Sequence, residues 1–298
     1  MKILVFGRNG QLGWELQHTL ATLGDVLAVD RAQLDLRDAS VLQAFVRMHQ
    51  PHVIINAAAY TAVDRAEQER DLAFEVNGRA PGIMAEQARL QRAGLVHVST
   101  DYVFDGTLGR PYVESDTPVP LNVYGQSKLA GEQAIQQAGG AYIVLRTSWV
   151  YSLRRDSFVT KVLTWARNGR ELRVVVDQVS NPTSARSLAE MIKRLLLMSS
   201  RSPYDFFEQY AGLYHLAGRG YASRFEWAES ILALASKQDP GLVSSIQPAH
   251  TDEFPAPAKR PLFSALDCTR FESKFGMRLP EWRSALELEM KEMLKQPE

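Results

Sequence analysis

Lys2-Ile3-Leu4-Val5-Phe6-Gly7-Arg8-Asn9-Gly10-Gln11-Leu12-Gly13 is the stretch on which the fold turns. A short apolar run suited to a buried parallel strand ends at a glycine. Leu12, Leu16, Leu20 and Leu23 then recur at helical spacing, and Gly24 marks the stop. Strand, glycine turn and helix in that order form the dinucleotide-binding layout, here spaced Gly7-x-x-Gly10-x-x-Gly13. Glycines let backbone N–H groups approach a pyrophosphate, and the helix N-terminus favours its negative charge. A purely structural turn would use the same residues. Placement between a first strand and a helix favours the nucleotide.

Working outward, Val26–Val29 reads as the second strand and ends in Asp30, placed to bond an adenosine ribose. Arg8 and Arg31 could instead meet a 2′-phosphate, so NADH and NADPH both remain open. Asp35, followed by Leu36, could contact an adenine amino group or stand in water as a loop carboxylate. Asp38 reads as the N-cap of a helix that ends before Pro51. His52–Ala59 is the third strand, and its small end, Ala57-Ala58-Ala59, suits a flat cofactor or a tight helix contact. Tyr60 and Thr61 follow at the carboxyl end of this strand, where open α/β sheets place ligands. A helix over 71–93 is expected to kink or break near Asn77 and Pro81.

Leu95–Ser99 is the fourth strand, with Ser99, Thr100, Asp101 and Tyr102 at its end. The long loop 104–122, carrying Pro111, Pro118 and Pro120, precedes Tyr124-Gly125-Gln126-Ser127-Lys128. On a helix Tyr124 and Lys128 share one face. A phenol beside an ammonium is a chemical unit, because the positive charge favours phenolate and brings tyrosine towards efficient proton transfer. YxxxK also arises by chance in ordinary helices, so its meaning depends on the surrounding pattern. Tyr142–Tyr151 is the fifth strand. The β-α-β-α alternation implies an α/β, Rossmann-like, doubly wound parallel sheet over residues 1–150. Residues 151–298 read as a smaller mixed α/β substrate-binding lobe, with part of 170–200 interleaved in the first. Its expected elements are helix 157–168, strand 172–179, helix 184–198, strand 212–217, helix 224–236 opened by the Ser223/Glu226 capping box, and helix 280–295. His52 and His97 fall within apolar strands and read as packed or capping residues.

Composition narrows the classes. The 298 residues are 45% hydrophobic, enough for a sizeable core, and the formal net charge is zero, so no basic face advertises nucleic acid. Cys268 is the one cysteine; no intrachain disulfide can form and a reducing compartment is the default. The apolar run Ile3–Phe6 is too short for a signal core, and no stretch is long enough to span a bilayer. A soluble cytoplasmic protein, with no nucleic-acid or membrane partner, is expected.

The glycine loop, Asn56-Ala57-Ala58, Ser99-Thr100-Asp101 and Tyr124-x-x-x-Lys128, in that order, resemble the extended short-chain dehydrogenase/reductases. Within them the chain is similar over nearly its whole length to the branch that reduces the C4 ketone of a thymidine-diphosphate sugar. The runs that carry this are 10–16, 56–64, 99–106, 120–132, 146–151 and 212–216. The resemblance implies reduction of dTDP-4-dehydro-6-deoxy-L-mannose to dTDP-L-rhamnose by NADPH or NADH. Tyr124 would protonate the ketone oxygen, Lys128 would hold the nicotinamide ribose and stabilise the phenolate, and Thr100 would orient the sugar oxygen. Gly7, Gly10, Gln11, Leu12, Gly13, Asp30, Asp35, Leu36, Ala59, Tyr60, Thr61, Tyr124 and Lys128 would hold the cofactor. Thr100, Asp101, Tyr102, Trp149 and Arg260 would contact substrate, with Lys259-Arg260 facing the diphosphate. Two departures stand out. Ser180 occupies a position where the family has glycine. Some members pair through glutamates on a metal; Glu15 and Glu292 match two such positions, but Arg186 stands at a third, so no metal is expected, and a homodimer stays open.

Related folds run other chemistry. Sugar dehydratases carry Thr-Asp-Glu where this chain has Thr100-Asp101-Tyr102. Epimerase–reductases add a Cys/His pair, whereas Cys268 lies far along the chain. A non-catalytic regulatory subunit of a partner enzyme is the rival from another class, and the intact Thr100/Tyr124/Lys128 set argues against it.

Overall fold

The computed structural model describes residues 1–169, 171–237, 242 and 245–293, with backbone alone for 292 and 293. The expected strands form as β1 (Lys2–Phe6), β2 (Asp25–Val29), β3 (Val53–Asn56), β4 (Gly94–Thr100) and β5 (Tyr142–Thr147). With Gly212–His215 they build one parallel sheet in the order β2, β1, β3, β4, β5, 212–215. The order reverses between β1 and β3, and this switch point opens a crevice at the carboxyl ends of those strands.

Period-two alternation along the strands sorts the core into two layers. Ile3 and Val5 face Leu12, Leu16 and Leu20 of helix Gln11–Leu20, together with Leu188, Ile192 and Leu195 of helix Ala185–Met198. Leu4 and Phe6 face Leu42 and Val46 of helix Ala39–His49, Met84 of helix Ala80–Leu90 and Ile135 of helix Val123–Ala138. A separate cluster binds Tyr151 of the short strand Val150–Tyr151 to Val162, Trp227, Ile231, Trp282 and Leu286, from helices Phe158–Arg167, Arg224–Ser236 and Trp282–Met293. The expected strand at 212–217 therefore joins the edge of the main sheet, and helix Ala185–Met198 covers that sheet too. The expected end of the last helix at 295 lies outside the described residues, as does the Glu292 side chain.

Several expectations are corrected in detail. The third strand stops at Asn56, whose Oδ1 accepts the Ala58 N–H at 3.1 Å and turns the chain out of the ladder. The α-helix is interrupted near Asn77, as expected, but it does not break: Arg70–Phe74 continues through a wide π turn, Glu75–Arg79, into Ala80–Leu90. Pro81 leaves the Asn77 carbonyl without its helical donor. That oxygen faces Gly131 so closely that a Cβ there would come within 2.1 Å of it. The fifth strand ends at Thr147, before Trp149 turns the backbone to φ 41°. Strand 172–179 splits into Leu172–Val175, paired with Ile246–Ala249, and Val179–Ser180, paired with Ala222–Ser223. Helix Pro203–Gln209, an element not among those expected, opens at Ser202-Pro203, a helix-start signal.

Candidate active site

A cleft of about 770 Å³ runs along the switch point from Asp30 and Asp35 at one end to Tyr124, Lys128 and Trp149 at the other. Gly7, Gly10, Gln11, Leu12, Leu36, Ala59, Tyr60, Thr61, Thr100 and Asp101 also line it. Gly13, Tyr102 and Arg260 do not. Gly13 works from behind: a Cβ there would come within 2.0 Å of the Gly7 carbonyl oxygen. Gly7 itself, at φ 94°, lies so near β3 that a Cβ would meet the Ala58 nitrogen at 2.7 Å. The glycines thus let helix, turn and strand close together beneath the cleft.

At the nucleotide end Asp30 accepts from Asn9 at 2.7 Å and from the Ala32 N–H at 2.9 Å. Asp35 is gripped by Arg37, with Nε at 2.9 Å, which holds its carboxyl down at about 2. The Asp35 carboxylate expected near an adenine is thus already engaged. Arg31 and Arg37 share this wall. Further in, Asn77 accepts from the Tyr60 N–H at 2.8 Å and donates to Ser127 Oγ at 3.0 Å, so the π turn ties the Tyr60 segment to the Tyr-Lys helix. The Tyr60 hydroxyl bonds Glu69. The cleft fits a dinucleotide: its turn carries glycine at 7, 10 and 13, and the buried Gln11 Oε1 in its wall has no protein partner.

At the catalytic end Asn122 caps the helix by accepting the Gly125 N–H at 2.8 Å. Tyr124 and Lys128 follow on one face, as the spacing predicts. Lys128 is 1% exposed; its Nζ donates to Val98 O at 2.6 Å and lies 3.2 Å from His97 Nε2. Burial lowers Lys128 to about 8, with Glu132 opposing. The expectation that Tyr124 is lowered is corrected: burial pushes it up, against a hydrogen bond with Thr100. A phenol that stays protonated suits a proton donor.

Thr100 Oγ1 accepts the Tyr102 N–H at 3.2 Å. Burial raises Asp101 to about 6, although Ser264 and Ser180 donate to its carboxylate at 2.5 and 3.1 Å. Ser180, at the position where a glycine was expected, therefore has a bonding role that its identity alone did not reveal. Tyr102 packs edge-on against Tyr124, ring centroids 5.8 Å apart, and its hydroxyl meets Arg224 and Arg260. Arg260 is 24% exposed and forms a fork with Asp64 at 2.7 and 3.1 Å. Trp149 stacks on Trp227, and the Arg224 guanidinium lies 3.6 Å from its ring. Arg224 and Ser264 escaped notice in the sequence, and His97 was read only as a packed or capping residue, because each becomes meaningful only through residues distant along the chain. Cys268 is far from this chemistry in role: burial raises its thiol to about 12. Glu15 is buried and raised by burial first and Glu289 second, with Arg154 and Arg186 opposing. Among the described residues no group of His, Cys, Asp and Glu is arranged to hold a metal.

A parallel doubly wound sheet with a dinucleotide cleft ending on threonine, tyrosine and lysine defines an extended short-chain dehydrogenase/reductase. Residues 1–295 match the family model described as the RmlD substrate binding domain, and the chain belongs to that family. It is 41% identical to a dTDP-4-dehydrorhamnose reductase of Burkholderia thailandensis, over 99% of this chain and all of that one. The Escherichia coli enzyme of the same name is 36% identical over 98% of both chains. The solved dTDP-4-dehydrorhamnose reductase of Bacillus anthracis in complex with NADP is 36% identical, with a TM-score of 0.89, over 98% of this chain and all of that one.

Proposed function

We propose that this chain reduces the C4 ketone of dTDP-4-dehydro-6-deoxy-L-mannose to the alcohol of dTDP-L-rhamnose with NADPH or NADH. The observation that carries the reading is the meeting of Thr100, Tyr124 and Lys128 at the end of a cleft whose other end is the glycine turn. Gly7, Gly10, Gln11, Leu12, Gly13, Asp30, Asp35, Leu36, Ala59, Tyr60 and Thr61 would hold the dinucleotide, with Lys128 at its nicotinamide ribose. The reduced nicotinamide supplies hydride when bound. Tyr124 donates its proton to the ketone oxygen, oriented by Thr100. Positioned proton transfer of this kind is worth about 10²–10⁴ in rate. Asp101, Tyr102, Trp149 and Arg260 contact the sugar nucleotide, and Arg224 joins Arg260 as a cation for the diphosphate. Asp30 with Arg31 and Arg37 offers partners to either a ribose hydroxyl or a 2′-phosphate, which supports use of both cofactors.

We assign the dinucleotide to the sheet built mainly from residues 1–150 and the sugar to the lobe built mainly from 151–298. Among the described residues no helix is long and apolar enough to cross a membrane, in keeping with work in the cytoplasm on a small-molecule substrate. The test is oxidation of NADPH or NADH by the purified chain with the dTDP keto sugar. Folded protein that leaves both cofactors unoxidised rejects the reading. The same assay with a uridine-diphosphate keto sugar measures the preference for the base.

A further inference from the structure

Lys128 stands at the end of a buried hydrogen-bond chain whose directions can be worked out. Asn56 Oδ1 accepts the Ala58 N–H at 3.1 Å, which orients the amide. The Asn56 Nδ2 faces His97 Nδ1 at 3.0 Å. An amide NH₂ donates and does not accept, so Nδ1 is the acceptor and the proton of the neutral ring belongs on Nε2. Nε2 lies 3.2 Å from Lys128 Nζ. Two donors cannot bond each other, so Nζ meets this N–H with its lone pair while one of its own hydrogens goes to Val98 O.

We propose that Asn56 and His97 are positioning residues that favour the neutral amine of Lys128 over its ammonium in the ligand-free protein. To become an ammonium, Lys128 takes one proton from solvent. It must then face a bare Nε2, which requires the Nδ1–H form of His97 and turns the Asn56 amide away from Ala58. His97 is fully buried and held well below its ordinary value by burial and by Lys128, so a doubly protonated ring offers no escape.

On the same helix Glu132 draws Lys128 towards the ammonium, but its carboxylate is shared by Arg146 from β5, at 2.6 and 2.9 Å, and by Ser99 from β4, at 2.5 Å. Tyr124 lies one turn earlier, and Asp101 at the end of β4 acts on Tyr124. From Glu75–Arg79 it is the uncharged Asn77 that bonds this helix, at Ser127. Burial lowers Lys128 to about 8, with Glu132 opposing, and the opposed ring N–H works in the same direction as burial.

The consequence for catalysis rests on the reduction proposed above. A neutral Lys128 leaves Tyr124 as the phenol that donates. When hydride forms the new C–H bond and the Tyr124 proton forms the O–H bond, the resulting phenolate favours an ammonium. Lys128 then takes up the solvent proton that the reduction consumes.

The first test needs no substrate. In ligand-free protein labelled with ¹⁵N-histidine, the His97 signals, assigned by their loss in His97→Gln, should show the Nε2–H form. An Nδ1–H form overturns the proposal. Asn56→Asp is the second variant, because a carboxylate accepts both the Ala58 N–H and an Nδ1–H. It should reverse the tautomer and raise the Lys128 pKa by on the order of one unit or more, read from Lys128 side-chain NMR and from the basic limb of the pH profile. Asn56→Leu offers Nδ1 nothing and serves as control. Equal losses at every pH in both variants, with no shift of tautomer or limb, mean a merely structural role and overturn the proposal. Failure of the cofactor-oxidation assay would leave the tautomer test standing.

Discussion

Ser264 donates its hydroxyl to Asp101 Oδ2 at 2.5 Å, binding the C-terminal segment to the end of β4. The carboxylate so held titrates near 6, against 3.8 for an ordinary aspartate. Between those values the folded protein binds the proton and the unfolded chain does not. The contribution of Asp101 to stability is therefore full below 3.8 and is lost as pH rises through 6. The shift corresponds to about 3 kcal/mol. Urea unfolding across this range should show the wild type losing stability relative to Asp101→Asn by about that amount. Ser264→Ala removes a donor and should move the window to higher pH. Parallel pH profiles for wild type and Asp101→Asn would refute this account.

Tyr124 is held as a phenol by burial. Tyr124→Phe keeps the ring and removes the proton. It should lower turnover by about 10²–10⁴ while NADPH binds as before. Calorimetric titration of the cofactor with steady-state kinetics checks both halves; undiminished turnover would remove Tyr124 from the chemistry.

Glu132 and Arg146 form an ion pair at 2.6 Å, both side chains almost wholly buried. Arg146 Nη1 has no partner of its own. Glu132→Ala leaves a buried guanidinium uncompensated, which costs about 3–5 kcal/mol. The double change Glu132→Leu/Arg146→Met should recover much of that loss in a denaturant titration. A double variant as unstable as the single one would show that the pair's packing outweighs its charge.

Gly13→Ala brings a methyl group against the Gly7 carbonyl oxygen. Something must shift, and overpacking of this kind costs about 1–3 kcal/mol. The turn that moves lines the cleft proposed to hold the cofactor. The variant should bind NADPH more weakly than a Gly109→Ala control, where a Cβ meets nothing within 4 Å, although its φ of 65° carries its own strain. Equal cofactor affinities would place the turn outside the binding surface.

The succession of strands along the first 150 residues was legible because each is a short apolar run, ended by glycine, alanine, a hydroxyl or, after the second strand, Asp30. The Tyr124/Lys128 pair was legible from helical spacing. Asn77 and Pro81 marked the interruption of their helix but not its form, because a π turn absorbs the lost hydrogen bond without breaking the helix. The sign of the Tyr124 shift misled as well, since a motif names the neighbouring lysine but not the depth at which both are buried. Ser180 with Asp101, Arg224 with Trp149 and Asn56 with His97 are long-range pairings, and local pattern carries no record of them.

The position of Gly212–His215 has a consequence for synthesis. A chain emerging from its N-terminus completes β1 to β5 well before the residues that cover the free side of β5. During that interval β5 presents an unpaired edge, the kind of surface on which strands of other chains add. A chain ended at residue 150 should therefore self-associate in sedimentation experiments, and one ended after residue 217 much less. The last strand of the sheet is in this sense a guard against misassembly, supplied late by the C-terminal half of the chain.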